Sequence, residues 1–455
     1  MGILGLVLLT SALTLCKVTS NCDDYPRQCW SSDTTVSQIP PQEPCYGERM
    51  CMCSNTTADC SSNFGNLMFV PDLRRNYQVL NFSNNNVLNI SHSEFFVNVS
   101  TDVRVIDLFN NGLAYIASGV FRRLKNLTTL LLGGSNHLGY RDVSPLLSVP
   151  SLLNADLSCL QLGPIPGDPF LKHNDSKLMN LNLRWNHIAS LNMSVFQPLR
   201  SLWSLVLWRN ELYVLKTAHL ASLEVLVLDA NRLFQFPLTC SKTDESMFPS
   251  LKVLLLAANM INCIDDPVCL PNLTHLDLRF NHFKFFTTNE FSRARFPSLL
   301  VLNIMQMENK LLKVESFFIN NSEVTFVSFK LNDVDFSATD TVHDDPFGGC
   351  TNVHKLDLDD NSFEDVSDER FHRLLKPMEN SLQILYLSKA HIAHLSPNTF
   401  SRLRNLTELH LYANSLFSIP DGAFDSLGRL RKLKLDSNYI TTISERTFSP
   451  QLQSR

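Results

Sequence analysis

Leucines recur along the chain in one cadence, L-x-x-L-x-L-x-x-N-x-L. It is plainest at Leu178, Leu181, Leu183, Asn186 and Ile188, and again at Leu202, Leu205, Leu207, Asn210 and Leu212. Near the other end it returns at Leu406, Leu409, Leu411, Asn414 and Leu416, then at Leu430, Leu433, Leu435, Asn438 and Ile440. Fifteen copies can be aligned on Leu80, Ile106, Leu130, Ala155, Leu181, Leu205, Leu226, Leu254, Leu276, Leu302, Val327, Leu356, Leu385, Leu409 and Leu433, spaced 21 to 29 residues apart. The alternation in L-x-L predicts a short strand with one face buried. A single copy cannot bury its own leucines, so the copies must stack into a continuous core, with parallel strands about 4.8 Å apart.

Two further registers support this frame. An asparagine follows the strand in eleven copies, where its amide can serve backbone groups exposed by the turn. The exceptions are Ser135, Leu160, Met307 and Ala390, and each apolar one is expected to leave backbone groups short of a partner, at about 1 kcal/mol or more. Phenylalanines at 95, 121, 170, 196, 291, 317, 371, 400, 424 and 448 all lie fifteen residues after a strand centre and predict an aromatic spine on the far side of the coil. The expected organisation is a signal peptide at 1–20, a cysteine-rich cap at 21–75 and a repeat array at 76–455 whose last copy is incomplete.

Composition narrows the class. With 44% hydrophobic and 18% charged residues the chain is not disordered, and a net charge of −5 does not mark it for nucleic acid or anionic membrane. Ile3 to Leu15 reads as the apolar core of a secretory signal, and no later run is long enough to span a bilayer. Six cysteines crowd into Cys22, Cys29, Cys45, Cys51, Cys53 and Cys60, as in a stapled secreted cap. Ten N-x-S/T sequons agree with an extracellular location: Asn55, Asn81, Asn89, Asn98, Asn126, Asn174, Asn192, Asn272, Asn320 and Asn405. Stacking favours pairing of Cys240 with Cys269 over Cys263 with Cys269, while Cys159 and Cys350 read as unpaired and buried.

The stretch Leu409 to Leu430, with Asn414, Leu416, Ile419-Pro420, Phe424 and Leu427, resembles the 24-residue repeat of leucine-rich-repeat receptor ectodomains in animals. Cys45-x5-Cys51-x-Cys53-x6-Cys60 before Val70-Pro71 resembles their N-terminal cap, and the irregular repeats look most like a Toll-like receptor ectodomain. The resemblance implies an α/β repeat fold: a right-handed leucine-rich-repeat solenoid, or horseshoe, with a parallel concave sheet. It further implies cap pairs Cys45–Cys53 and Cys51–Cys60, leaving Cys22–Cys29 as a third, and a receptor that binds a microbial or protein ligand and forms a homo- or heterodimer. The sequence departs from that pattern in ending at Arg455, without a second cap, membrane helix or signalling domain, and so reads as a fragment or a soluble form. Attachment to a membrane would then come only from a further C-terminal segment. The alternative is a secreted or matrix adhesion protein.

Outward strand positions supply the candidate binding surface. Val206, Trp208, Val225, Val227, Asp229, Val253 and Leu255 form an apolar stripe expected to face solvent, with Trp208 the foremost ligand anchor. Further along the face turns polar, and His275 and His410 are candidate pH sensors. Asn126, Asn272 and Asn405 share one frame position before the strand, so glycans there would line one flank and leave the other for partners. Asp333 to Thr351 reads as a projecting loop. No metal or cofactor site is expected: Asp357, Asp359 and Asn361 mimic the start of a calcium loop, but Ser362 and Asp368 stand where the turn glycine and closing glutamate belong. The chain carries no G-x-S-x-G, phosphate-cradling glycine loop or H-E-x-x-H, which argues for binding over catalysis.

Overall fold

The computed structural model describes residues 43–46, 50–61, 66–71, 73, 76–91, 101–117, 119–121, 123–167, 176–265, 267–308, 311–338, 340–363, 366 and 369–448. The expected signal segment, Cys22 and Cys29, and the sequons at Asn98 and Asn174 lie outside them. The chain divides into two compact units, 1–211 and 212–455.

Unit 1 begins with a small antiparallel cap. Glu43–Tyr46 pairs with Cys51–Cys53, which pairs with Thr57–Asp59. Disulfides Cys45–Cys53 and Cys51–Cys60 hold these strands together. Thr57–Asp59 then runs parallel to Val79–Asn81, so the cap closes the open edge of the repeat sheet. From there Val79–Asn81, Val105–Asp107, Thr129–Leu131, Asn154–Asp156, Asn180–Asn182 and Ser204–Val206 belong to one parallel sheet, each a repeat's three-residue strand. The template leucines inside it are sealed: Leu80, Leu181 and Leu205 are each 0% exposed. Cys159 is disulfide-bonded to a cysteine outside the described residues, which corrects the expectation that it is unpaired.

The asparagine ladder is a set of two-way clamps. Asn186 donates from Nδ2 to the carbonyl oxygens of Leu157 on the preceding turn (2.8 Å) and Leu183 on its own (3.0 Å). Its Oδ1 accepts from the Leu160 and Leu162 amides of the preceding turn. The same asparagine therefore supplies the turn whose own ladder residue is Leu160. Met307 and Ala390 are served alike by Asn332 and Asn414 in unit 2, and the Ala390 carbonyl accepts the Phe363 amide in place of a side chain. The apolar exceptions thus keep their amides bonded, contrary to expectation, because each clamp reaches backward by one turn. Ser135 is no gap either: Asn136, one residue later, is buried and donates to Leu108 and Leu132, its shift allowed by Gly134 at φ +84°. In many turns the residue before the ladder asparagine is left-handed and not glycine, as at Trp185 (φ +55°) and Arg209 (φ +52°). That conformation costs roughly 1 kcal/mol or more per residue, and the clamp bonds hold it.

Unit 2 repeats the plan from Val225–Val227 to Lys432–Lys434 in one parallel sheet, strand centre against strand centre. Its far side is packed with rings. Phe286 contacts Phe283, Phe291, Phe318 and Phe329 at centroid separations of 5.3 to 6.2 Å, and Phe371, Phe400, Phe424 and Phe448 follow in sequence at 5.8 to 6.3 Å. The spine takes Phe318, 0% exposed, and not Phe317, which is 40% exposed with φ +57°. An irregular turn shifts the register there by one residue. The described residues of 333–351 do not project: Phe336, Val342, Phe347 and Cys350 are buried, the Val314 amide donates to the Thr341 carbonyl and the His343 amide to the Val314 carbonyl, and the Arg370 guanidinium donates to the carbonyls of Ser337, Ala338 and Val342. Cys240 is bonded to Cys269, while Cys350 is free and buried and Cys263 free and exposed. No helix among the described residues is long and apolar enough to cross a membrane.

Candidate functional site

The outward face of a repeat strand presents its first and third residues and the residue two further on. In unit 1 the accessible part of this face is uncharged. Asp107, Asp156 and Arg184 occupy outward positions but are 7%, 6% and 3% exposed. Asp156 spends one oxygen on the Ser158 amide at 2.9 Å, and Asn182 does the same for Arg184 at 3.1 Å. What reaches solvent is a row of neutral groups. Asn180 donates to Asn154 Oδ1 at 2.7 Å, and Asn154 donates to Thr129 Oγ1 at 3.1 Å, across three strands.

At the other end of these strands stand two tryptophans. Trp185 and Trp208 meet edge to face at 6.4 Å, and the Arg209 guanidinium lies 4.9 Å from one ring centroid and 5.1 Å from the other. All three are half-buried. Beside them His187 Nδ1 is 2.8 Å from Glu211 Oε1. Trp208 was legible in the sequence as an outward residue, but Trp185 and Arg209 were not. Both occupy the left-handed position before a ladder asparagine, and that shared place was the available signal.

The apolar stripe is not the exposed patch expected. Val206, Val225, Val227 and Val253 are 7%, 2%, 4% and 2% exposed, and Trp208, Asp229 and Leu255 are half-buried. In unit 2 Val225 faces Val253 and Val227 faces Leu255 on the adjacent strand, so short β-branched side chains cover one another and leave little for a ligand. Asp229 Oδ1 accepts the Ala257 amide at 2.7 Å, and burial together with the charge of Asp277 pushes its carboxyl up to about 8.

Elsewhere on unit 2, charged side chains on and beside the outward face pair with one another. Arg279 bonds Asp277 at 2.9 Å, and Lys432 bonds Glu408 at 3.1 Å. Lys330 lies 3.7 Å from Asp359, and Lys389 lies 3.4 Å from Asp360. Lys355 is held between Phe326 and Tyr386, its ammonium 4.8 and 5.1 Å from the ring centroids. Burial and Asp359 raise Asp357 to about 6. Burial lowers both His275 and His410, so neither gains charge readily in mild acid, and the carboxylates replace them as the groups that titrate near neutrality. Among the described residues no group of three or more His, Cys, Asp or Glu side chains is placed to hold a metal ion.

The flanks of unit 2 differ. Asn272 and Asn405, four residues before the strand centres Leu276 and Leu409, donate to the carbonyls of Pro249 and Asn380 on the preceding turns. In unit 1 Asn126 donates to Thr101 in the same way. At the opposite end of the strands, eight to ten residues after the centres Leu226, Leu276, Leu302 and Leu409, stand Phe234, Phe285, Leu312 and Phe417. They are 54%, 53%, 52% and 60% exposed.

The leucine-rich-repeat family model matches residues 351–416 and 404–452. Mouse podocan is 29% identical over 38% of this chain and 30% of its own length. Mouse CD180 antigen is 25% identical over 82% of this chain and 55% of its own. The chain thus spans 30% to 55% of the length of these relatives. Among solved structures, a TLR13–ssRNA13 complex superposes with a TM-score of 0.54 at 21% identity, over 89% of this chain and 56% of that one, a likeness of fold. The chain is a leucine-rich-repeat protein that resembles the ectodomains of Toll-like receptors.

Proposed function

We propose that the chain is the extracellular recognition ectodomain of a Toll-like pattern-recognition receptor, which holds a microbial or protein ligand and pairs with a second copy. The observation that carries the pairing is the apolar flank of unit 2: four large side chains, each more than half exposed, at one frame region and away from the sequons. Single exposed apolar residues are ordinary, but Phe285 and Leu312 share this frame region on adjacent turns, and Phe234 and Phe417 return to it on turns further off. Disulfide-bonded cysteines support an oxidising, extracellular setting. The secreted or matrix adhesion reading draws on the podocan match, and it too would use an unglycosylated flank.

Phe285→Asn creates the sequon Asn-Phe-Thr with Phe286 and Thr287, at a side chain that is mostly in water. A glycan there should wedge the flank open without disturbing the core. Sedimentation velocity over a concentration series should show self-association of the glycosylated chain that F285N abolishes, with thermal melting unchanged. Association of equal strength in F285N, or a wild-type chain monomeric throughout, would refute pairing at this flank.

A further inference from the structure

We infer that the outward face of unit 1 is a saccharide-binding trough for a neutral oligosaccharide. The inference rests on reading that face as a recognition surface, and it does not need the pairing at the flank of unit 2. Three features specify the ligand class. The first is charge: the carboxylates and the guanidinium at outward strand positions are buried beneath the surface, so apart from Arg209, whose guanidinium packs on the indoles, the accessible groups are amides, hydroxyls and rings. A ligand with fixed charge gains little there, and one rich in hydroxyls loses little.

The second is the polarity of the amide ladder. Asn180 donates to Asn154 and Asn154 donates to Thr129, so every link runs one way. The chain of donors leaves Asn180 Oδ1 at its open end, with no hydrogen bond to any described residue, beside an Asn154 amide that still holds a second N–H. Sugar hydroxyls donate and accept at once, and so extend such a ladder where a purely donating or purely accepting ligand cannot.

The third is the ring pair. Trp208 and Trp185 present apolar surface that Arg209 holds in place, which suits the C–H face of a pyranose, while the remaining guanidinium N–H groups can reach its hydroxyls. Asn180 and Trp208 lie at opposite ends of neighbouring strands, about 13 Å apart along the strand direction at about 3.3 Å per residue. The low floor between them is Asn182 and Val206, both buried. One sugar cannot span that distance, whereas two or three linked sugars can.

The test is intrinsic tryptophan fluorescence of the purified chain titrated with neutral oligomers of glucose, mannose and N-acetylglucosamine, alongside anionic counterparts bearing uronate or sulfate. A neutral oligomer should give a saturable emission shift that salt does not suppress. Trp208→Ala should weaken it at least tenfold, Trp208→Phe less, and Asn180→Ala about three- to tenfold. Each variant should melt near the wild-type temperature, and N180A keeps the proposal testable if W208A does not fold. The inference is overturned if no neutral oligomer shifts the emission, if only anionic ones do and salt abolishes it, or if W208A and N180A bind as wild type. Loss of saccharide binding with sedimentation behaviour intact would leave the flank pairing standing, and the converse would leave the trough.

Discussion

The two units solve the same stacking problem and then present different outward faces. Both bury template leucines under a parallel sheet and tie successive turns through asparagine clamps. Unit 2 fills its far side with phenylalanines in ring contact, and Phe82, Phe121 and Phe196 of unit 1 are buried as completely. Their outward faces diverge. Unit 1 buries the charges at its outward strand positions and shows amides and indoles, while unit 2 shows ion pairs that neutralise one another. Inward positions are constrained by stacking and stay uniform, but outward positions answer only to what the surface must meet. Two different outward faces on one scaffold therefore point to two different tasks.

The ring stack inside unit 2 has the largest expected consequence. Phe286→Ala removes a fully buried ring with four ring neighbours and should cost about 3–5 kcal/mol. Hydrogen exchange should place the lost protection in the turns of unit 2 that touch Phe286, leaving unit 1 as in wild type. Uniform loss over both units would mean that the ring stack is not a local reinforcement of unit 2.

A smaller but still large effect is expected from Asn186→Ala in unit 1. It would strand the buried amides of Leu160 and Leu162 and the carbonyl of Leu157, while the Leu183 carbonyl keeps the Asn210 amide, at roughly 2 kcal/mol or more. Because Leu160 contributes no clamp of its own, this turn should suffer more than one flanked by intact ladder members. Denaturant titration of N186A beside Asn210→Ala measures the difference.

The smallest effect is a matter of pH and belongs to the outward face of unit 2. A carboxyl raised from its unfolded value to about 8 holds its proton in the fold at pH values where the unfolded chain has lost it. Asp229 therefore contributes stability that is fully present below about pH 4 and is lost as pH rises through about 8. Asp357, raised to about 6, behaves likewise over a lower window. Asp229→Asn should melt higher than wild type above pH 8 and nearly level with it at pH 4. A gain that is larger in acid would reverse the assigned sign.

The strands, the cap and the ladder were legible because stacking imposes them on every copy. Leu181 has no freedom to be anything but buried, and its period betrays it. Where the period slips by one residue, inference from spacing slips with it: Asn136 replaces Ser135 in the ladder, and Phe318 replaces Phe317 in the spine. The binding face was harder to read, because outward position does not guarantee exposure. Valines on neighbouring strands cover one another, as Val225 and Val253 do, and burial moved the titrating groups from histidine to carboxylate. Trp185 and Arg209 reached their site through a backbone conformation that no hydrophobic pattern records.

The flank of unit 2 is the surface on which the proposed pairing depends, and hydroxyl-radical footprinting of the glycosylated chain at low and high concentration tests it most directly. Phe234, Phe285 and Phe417 should lose reactivity together as the chain associates, while Trp185 and Trp208 in unit 1 react as before. Undiminished labelling of those three rings at high concentration, or protection centred on Asn272 and Asn405 instead, would contradict the account.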